Sequence, residues 1–212
     1  MKLCMFSPRD RDLPRGWPGR IEGDRVIQLA AQTLQAFFTG GGEAREHDEY
    51  ALDDVVLRAP VLQPPTVRIF GSDGDFVFAN AAAIYGPEDA IPLPGAVEHV
   101  ESDLRIAAMI GAEGEIGGFT LMNDWIAPEL TGAKARDFAI SLGPVVVTPD
   151  EFPFRDDWTA LVEHAARNTP HLLPGAILAA GSMRNGPFGA GDTVEVSLAE
   201  IGVLRNRVVA AQ

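Results

Sequence analysis

Apolar and polar residues alternate with period two along most of this chain, in short runs punctuated by Gly and Pro, which predicts a strand-built core with few helices. Residues 1–6 read as a first strand, and GRIEGDRVIQL reads as a hairpin turning at Gly23-Asp24 between Ile21 and Val26. The best early helical period spans 30–38 and is closed by Gly40-Gly41-Gly42. The acidic, glycine-rich stretch 40–54 reads as a linker. Beyond Pro60 and Pro64-Pro65, short strands are expected at 76–78, 106–110, 118–122, 145–148, 177–180, 193–198 and 203–209, with a helix over 158–168 capped by Asp157. The pattern therefore predicts a mixed α+β, β-dominated fold with peripheral helices. It divides into a small N-terminal module and linker over 1–57 and a main domain over 58–212.

Composition narrows the function classes. At 212 residues the chain is long enough to bury a substantial core, and no apolar run approaches the roughly 20 residues that cross a bilayer. The first residues make too short an apolar stretch for a signal peptide, and the single cysteine, Cys4, excludes an internal disulfide, so a cytoplasmic protein is expected. A net charge of -13 repels phosphate backbones and anionic lipid, which argues against nucleic acid and membrane as partners.

Candidate chemistry gathers between Ile116 and Thr148. Asp124 lies ten residues before Lys134, one of only two lysines in a chain with fifteen arginines. A compact ammonium with a tunable pKa does what guanidinium cannot, so an internal lysine in so arginine-rich a chain marks a candidate functional position; a solvated loop lysine is the plain alternative.

The ordered segments EDAIPLPG, DLRIAAMIGAEGE, IGGFTLMNDW, AKARDFAISLGPVVVTPDE, LLPGAILAAGS and GAGDTVEVSLAEIGVLRNRV resemble the fumarylacetoacetate hydrolase family, from about Arg58 to Val209. The opening MKLCMFS with GDRVIQLAA is similar to the small N-terminal part of many members. The resemblance implies a mixed β-roll, a homodimer, and C–C bond hydrolysis, decarboxylation or keto-enol isomerisation of 1,3-dicarbonyl or 2-oxo acid substrates. It also implies Mg²⁺ or Mn²⁺ on hard oxygen ligands, stabilising an enolate.

Carried over residue by residue, the resemblance places metal carboxylates at Asp103 and Asp124, the active-site lysine at Lys134 and a substrate-contacting hydroxyl at Ser182. The remaining metal carboxylate falls on Arg105, which reverses its charge. At about 4 Å from a divalent ion and an effective dielectric of about 20, that cation costs several kcal/mol. Neither His nor Glu occurs between Val67 and Pro87, where the family carries a dyad that activates water. Asp137 is a candidate partner for Lys134, and Arg184 and Arg136 are candidate contacts for a substrate carboxylate. Three readings follow: a metal-poor enzyme with Arg105 in place of a ligand glutamate and Asp103 or Asp124 as base; a metal enzyme with an unusual ligand set; and an inactive binding or dimer-partner protein of the same fold.

Overall fold

Period-two patterning resolves into fifteen strands among the described residues, which are 1–153 and 158–211 of a computed structural model. The N-terminal part supplies β1 (Lys2–Pro8), β2 (Trp17–Glu22), β3 (Arg25–Leu29), helix α1 (Leu34–Thr39), β4 (Glu46–Ala51) and β5 (Val55–Arg58). Next come β6 (Val67–Phe70), β7 (Phe76–Ala79), β8 (Ile84–Tyr85), β9 (Ile91–Pro92), β10 (Val100–Ile110), β11 (Ile116–Ile126) and β12 (Ile140–Val147). Helix α2 (Trp158–Ala166) precedes β13 (Ile177–Phe188), β14 (Thr193–Leu198) and β15 (Gly202–Val209). Twelve strands form one sheet with the path β4-β3-β2-β1-β12-β11-β10-β13-β6-β7, where β5 joins β1 and β8 joins β12; β14, β15 and β9 form a second sheet. The fold is thus β-dominated with peripheral helices, as the strand spacing implies. Neither helix is long and apolar enough to cross a membrane.

The central strands carry the core on both faces. Met109, Met122, Leu142 and Ile177 pack on one side, while Phe119, Leu121, Leu178 and Phe152 pack on the other. A third cluster around Trp125, Ile91 and Val208 seals the small sheet against the large one. Trp125 is fully buried and its indole N–H donates to Ser141 Oγ at 2.9 Å, which ties β11 to β12 beside Asp124.

Several elements differ from the sequence expectation, and for α1, β4, β10 and β11 the physical reason is plain. Helix α1 starts at Leu34 rather than at residue 30, because Thr33 is extended (φ -151°, ψ 166°) and its hydroxyl caps the Ala36 N–H at 3.0 Å. Part of the acidic 40–54 stretch is strand β4, which pairs with β3. Its side chains are mostly exposed, so no apolar alternation marks it, and it is held by backbone pairing with cross-strand ion pairs Arg25–Glu49 and Arg20–Glu46, both at 2.7 Å. Strands β10 and β11 run longer than 106–110 and 118–122 because charged residues at their ends, which interrupt the apolar pattern, are themselves in the ladder. Asp157 lies outside the described residues. The N-terminal strands continue the main sheet through β1, where Leu3 pairs with Val146 of β12.

Candidate active site

Asp103 and Asp124 are direct cross-strand partners on β10 and β11, and both are fully buried. Two like charges facing each other in a sheet are destabilising, more so without water, so the pair requires cations. Arg105 lies two residues along β10 from Asp103 and therefore on the same face. Its Nη2 donates to Asp103 Oδ2 at 2.6 Å, and its Nε lies 3.9 Å from Asp124 Oδ2. The guanidinium is anchored further by Nη1, which donates to the carbonyls of Gly181 at 2.6 Å and Phe70 at 3.2 Å.

A bulge explains the Gly181 carbonyl. Leu104 pairs with Met183 and Ile106 with Ala180, so two residues of β13, Gly181 and Ser182, stand opposite Arg105 alone. Gly181 takes φ +77°, which glycine adopts without strain. The extra residue also turns the Ser182 hydroxyl inward, where it donates to Asp103 Oδ1 at 2.6 Å.

The second cation comes from a 3₁₀ turn over Gly132–Arg136 that follows β11. Residues two apart on such a turn point about 120° away from each other, so Lys134 and Arg136 face different ways. Arg136 hydrogen-bonds Asp124 Oδ2 through Nη1, and the same nitrogen lies 3.9 Å from Asp103 Oδ2. Lys134 is 78% exposed and pairs with Asp137 at 2.5 Å, which holds the Asp137 carboxyl below its usual range. Arg184 pairs with Glu101 at 2.7 Å on the exposed part of β13.

The structure thus brings Asp103, Arg105, Asp124 and Ser182 together, adds Arg136, and leaves Lys134 and Arg184 outside that contact. Burial raises the Asp124 carboxyl from 3.8 to about 6 against the opposing pull of Arg136 and Arg105, with Asp103 adding to the rise. Among the described residues, Asp124 Oδ1 and Arg105 Nε are buried without a hydrogen-bond partner. Both arginines line a cavity of about 680 Å³ whose other walls include Phe76, Phe78, Asn80 and Asp137. Sequence reasoning named Arg136 only as an anion contact, and the aromatic wall carried no motif.

No family model matches the chain. Protein Rv2993c of Mycobacterium tuberculosis is 27% identical over 214 aligned residues, covering 76% of this chain and 81% of that one. Maleylpyruvate hydrolase from Sphingobium sp. SYK-6, solved with manganese(II) and pyruvate, superposes with a TM-score of 0.78 at 20% identity over the whole of both chains. The chain has the fumarylacetoacetate hydrolase fold. A 2-keto-3-deoxy-D-arabinonate dehydratase with magnesium and 2,5-dioxopentanoate shares this fold at a TM-score of 0.81 and 19% identity, again over both chains in full. So does 5-carboxymethyl-2-hydroxymuconate delta-isomerase from Mycobacterium smegmatis, with a TM-score of 0.78 and 23% identity over 99% of this chain and 100% of that one. Within the fumarylacetoacetate hydrolase fold, Asp103, Arg105 and Asp124 all stand on the central β10–β11 pair.

Proposed function

We propose that this protein is an enzyme acting on a 1,3-dicarbonyl or 2-oxo acid compound by C–C cleavage, decarboxylation or isomerisation, with the Arg105 guanidinium supplying the positive charge at the reacting oxygens. The observation that carries this reading is Arg105 seated beside both Asp103 and Asp124 at the wall of a cavity. A divalent ion does not fit the donor set as it stands. Asp103 Oδ2 accepts from Arg105, Asp124 Oδ2 accepts from Arg136, and among the described residues no three His, Cys, Asp or Glu side chains gather as ligands.

In this reading Arg136, a third exposed, takes the substrate carboxylate, and the Arg105 guanidinium at the cavity wall faces the enolate oxygen. Asp124 is the base: its ionised carboxyl removes the proton beside the carbonyl and returns it to the enolate oxygen, which completes a keto-enol isomerisation. Decarboxylation draws on the same enolate stabilisation, followed by protonation. Ser182 holds Asp103, and so the Arg105 guanidinium, in place. Lys134 neutralises Asp137 at the cavity wall, and Arg184, paired with Glu101, is not among the residues that line the cavity. Isomerisation and decarboxylation suit these residues better than hydrolysis, because the segment from Val67 to Pro87 contains no His or Glu to activate water. The oxo acids bound by two of the structural neighbours support the substrate class.

The test is turnover of an acylpyruvate, a 2-oxo acid with one carboxylate, with and without EDTA. The expected rates agree within about twofold, far less than the contribution of a catalytic metal ion. Turnover abolished by the chelator, and restored by Mg²⁺ or Mn²⁺, would sink the reading. The cation roles separate by mutation: Arg136→Ala should lower kcat/KM by about 10²–10³, as loss of a charge-stabilising donor does, while Lys134→Ala changes it less than about threefold. A reversed order would assign the chemistry to Lys134. One observation favours an inactive binding or dimer-partner protein instead, namely that both aspartates are wholly buried and each has an oxygen taken by an arginine. Absence of turnover on every oxo acid tried would select that alternative.

A further inference from the structure

The cavity beside Arg105 has an aromatic wall and an uneven charge distribution. Strand β7 is the edge of the large sheet, and its Phe78 and Val77 are 67% and 60% exposed. Phe76 meets Phe70 and Phe78 edge-on, with ring centroids 5.4 and 5.6 Å apart, which makes a continuous aromatic surface. The buried Arg68 guanidinium lies 5.3 Å from the centroids of both Phe76 and Phe78, and its Nη1 donates to Thr66 Oγ1 at 3.0 Å. The rings are therefore braced from the protein side. A braced, exposed aromatic wall in a cavity is a surface that an apolar ligand group covers.

Charge sets the other limit. Besides Arg105 and Arg136 the cavity is lined by three carboxylates, Asp73, Asp75 and Asp137. The two arginines already face Asp103 and Asp124, while Lys134 matches Asp137 and His164 sits 3.3 Å from Asp75. Asp73 and Asp75 belong to the turn entering β7, where Asp73 Oδ1 accepts the Asp75 N–H and Asp75 Oδ1 accepts the Phe76 N–H. The opposite end of β7 reaches Asn80, whose amide donates to the Asp137 carbonyl one residue from Arg136. The four residues of β7 separate these ends by about 13 Å, room for a three-carbon acid head and one ring.

We infer that the cavity selects 2-oxo acids with one carboxylate and an aryl-sized apolar tail, and discriminates against dicarboxylates. This specificity rests on the reading of the cavity as the substrate site. The single carboxylate lies on Arg136, the partly exposed cation of the cavity, the tail covers Phe76 and Phe78, and a second carboxylate at the far end would meet the acidic turn of Asp73 and Asp75.

Equilibrium binding by calorimetry tests this without requiring turnover, using phenylpyruvate, pyruvate and 2-oxoglutarate as probes. Phenylpyruvate is expected to bind at least about tenfold more tightly than either of the others. Phe78→Ala, at an exposed position, should remove that advantage and leave pyruvate binding unchanged. The double variant Asp73→Asn, Asp75→Asn keeps the acceptor oxygens of the turn and should strengthen 2-oxoglutarate binding severalfold. Equal or tighter binding of 2-oxoglutarate by the unaltered protein, a ratio that neither variant moves, or no measurable binding of any probe overturns the inference. Selective binding of phenylpyruvate without turnover of any oxo acid would remove the enzyme reading while leaving the specificity intact.

Discussion

Arg105→Leu should lower the free energy of unfolding by about 3–5 kcal/mol, the cost of removing one partner from a buried charged set. The leucine leaves the Phe70 and Gly181 carbonyls without this donor and Asp103 without its 2.6 Å partner. It also leaves two buried carboxylates facing each other across β10 and β11, with Arg136 as the remaining nearby cation. Because the loss is mainly that of stranded charge, Asp103→Asn added to Arg105→Leu should recover part of it, a non-additivity that chemical denaturation of the two single variants and the pair would measure. A loss below about 1 kcal/mol for Arg105→Leu, the scale of an exposed ion pair, would mean that its guanidinium does not hold the site together.

Asp124→Asn should reduce turnover by about 10²–10⁴, the usual contribution of a general base. If the proposed chemistry holds, the native protein should show an ascending limb in kcat/KM near pH 6, since the carboxyl, raised to about 6, must be ionised to accept a proton. Stability runs the opposite way. The folded protein holds this proton more tightly than the unfolded chain does, so the Asp124 contribution is fully present below about pH 4 and is lost as pH rises through about 6. The difference is about 3 kcal/mol, and Asp124→Asn should flatten that part of the stability profile. A turnover profile without an inflection between about pH 5 and 7, together with full activity in the asparagine variant, would remove Asp124 from the chemistry.

The strand-rich fold was legible along the chain because side-chain alternation is a local property: β14 spans Thr193–Leu198, the residues marked by alternation and flanking turns. Alternation fails where a strand is not half-buried. Exposed β4 escaped it, and so did the charged ends of β10 and β11, which carry Asp103, Arg105 and Asp124. The motif resemblance located those residues, and Ser182 with them, but spacing along a chain contains no information about which groups touch. Lys134 and Arg136 differ by two positions and lie in one glycine-bounded turn, so only the direction of a 3₁₀ turn separates the cation that meets Asp124 from the one that meets Asp137.

By itself the sequence determined the β-dominated fold, the acidic character of the surface and the presence of a cation at a position where a carboxylate was expected. The tertiary structure decided which groups meet: cross-strand register set Asp103 against Asp124, a one-residue bulge at Gly181 presented a carbonyl to Arg105, and β7 closed an aromatic wall beside them. Register and bulge arise from hydrogen bonding between segments far apart in the chain, here β10 with β11 and β13, and no local pattern encodes that pairing.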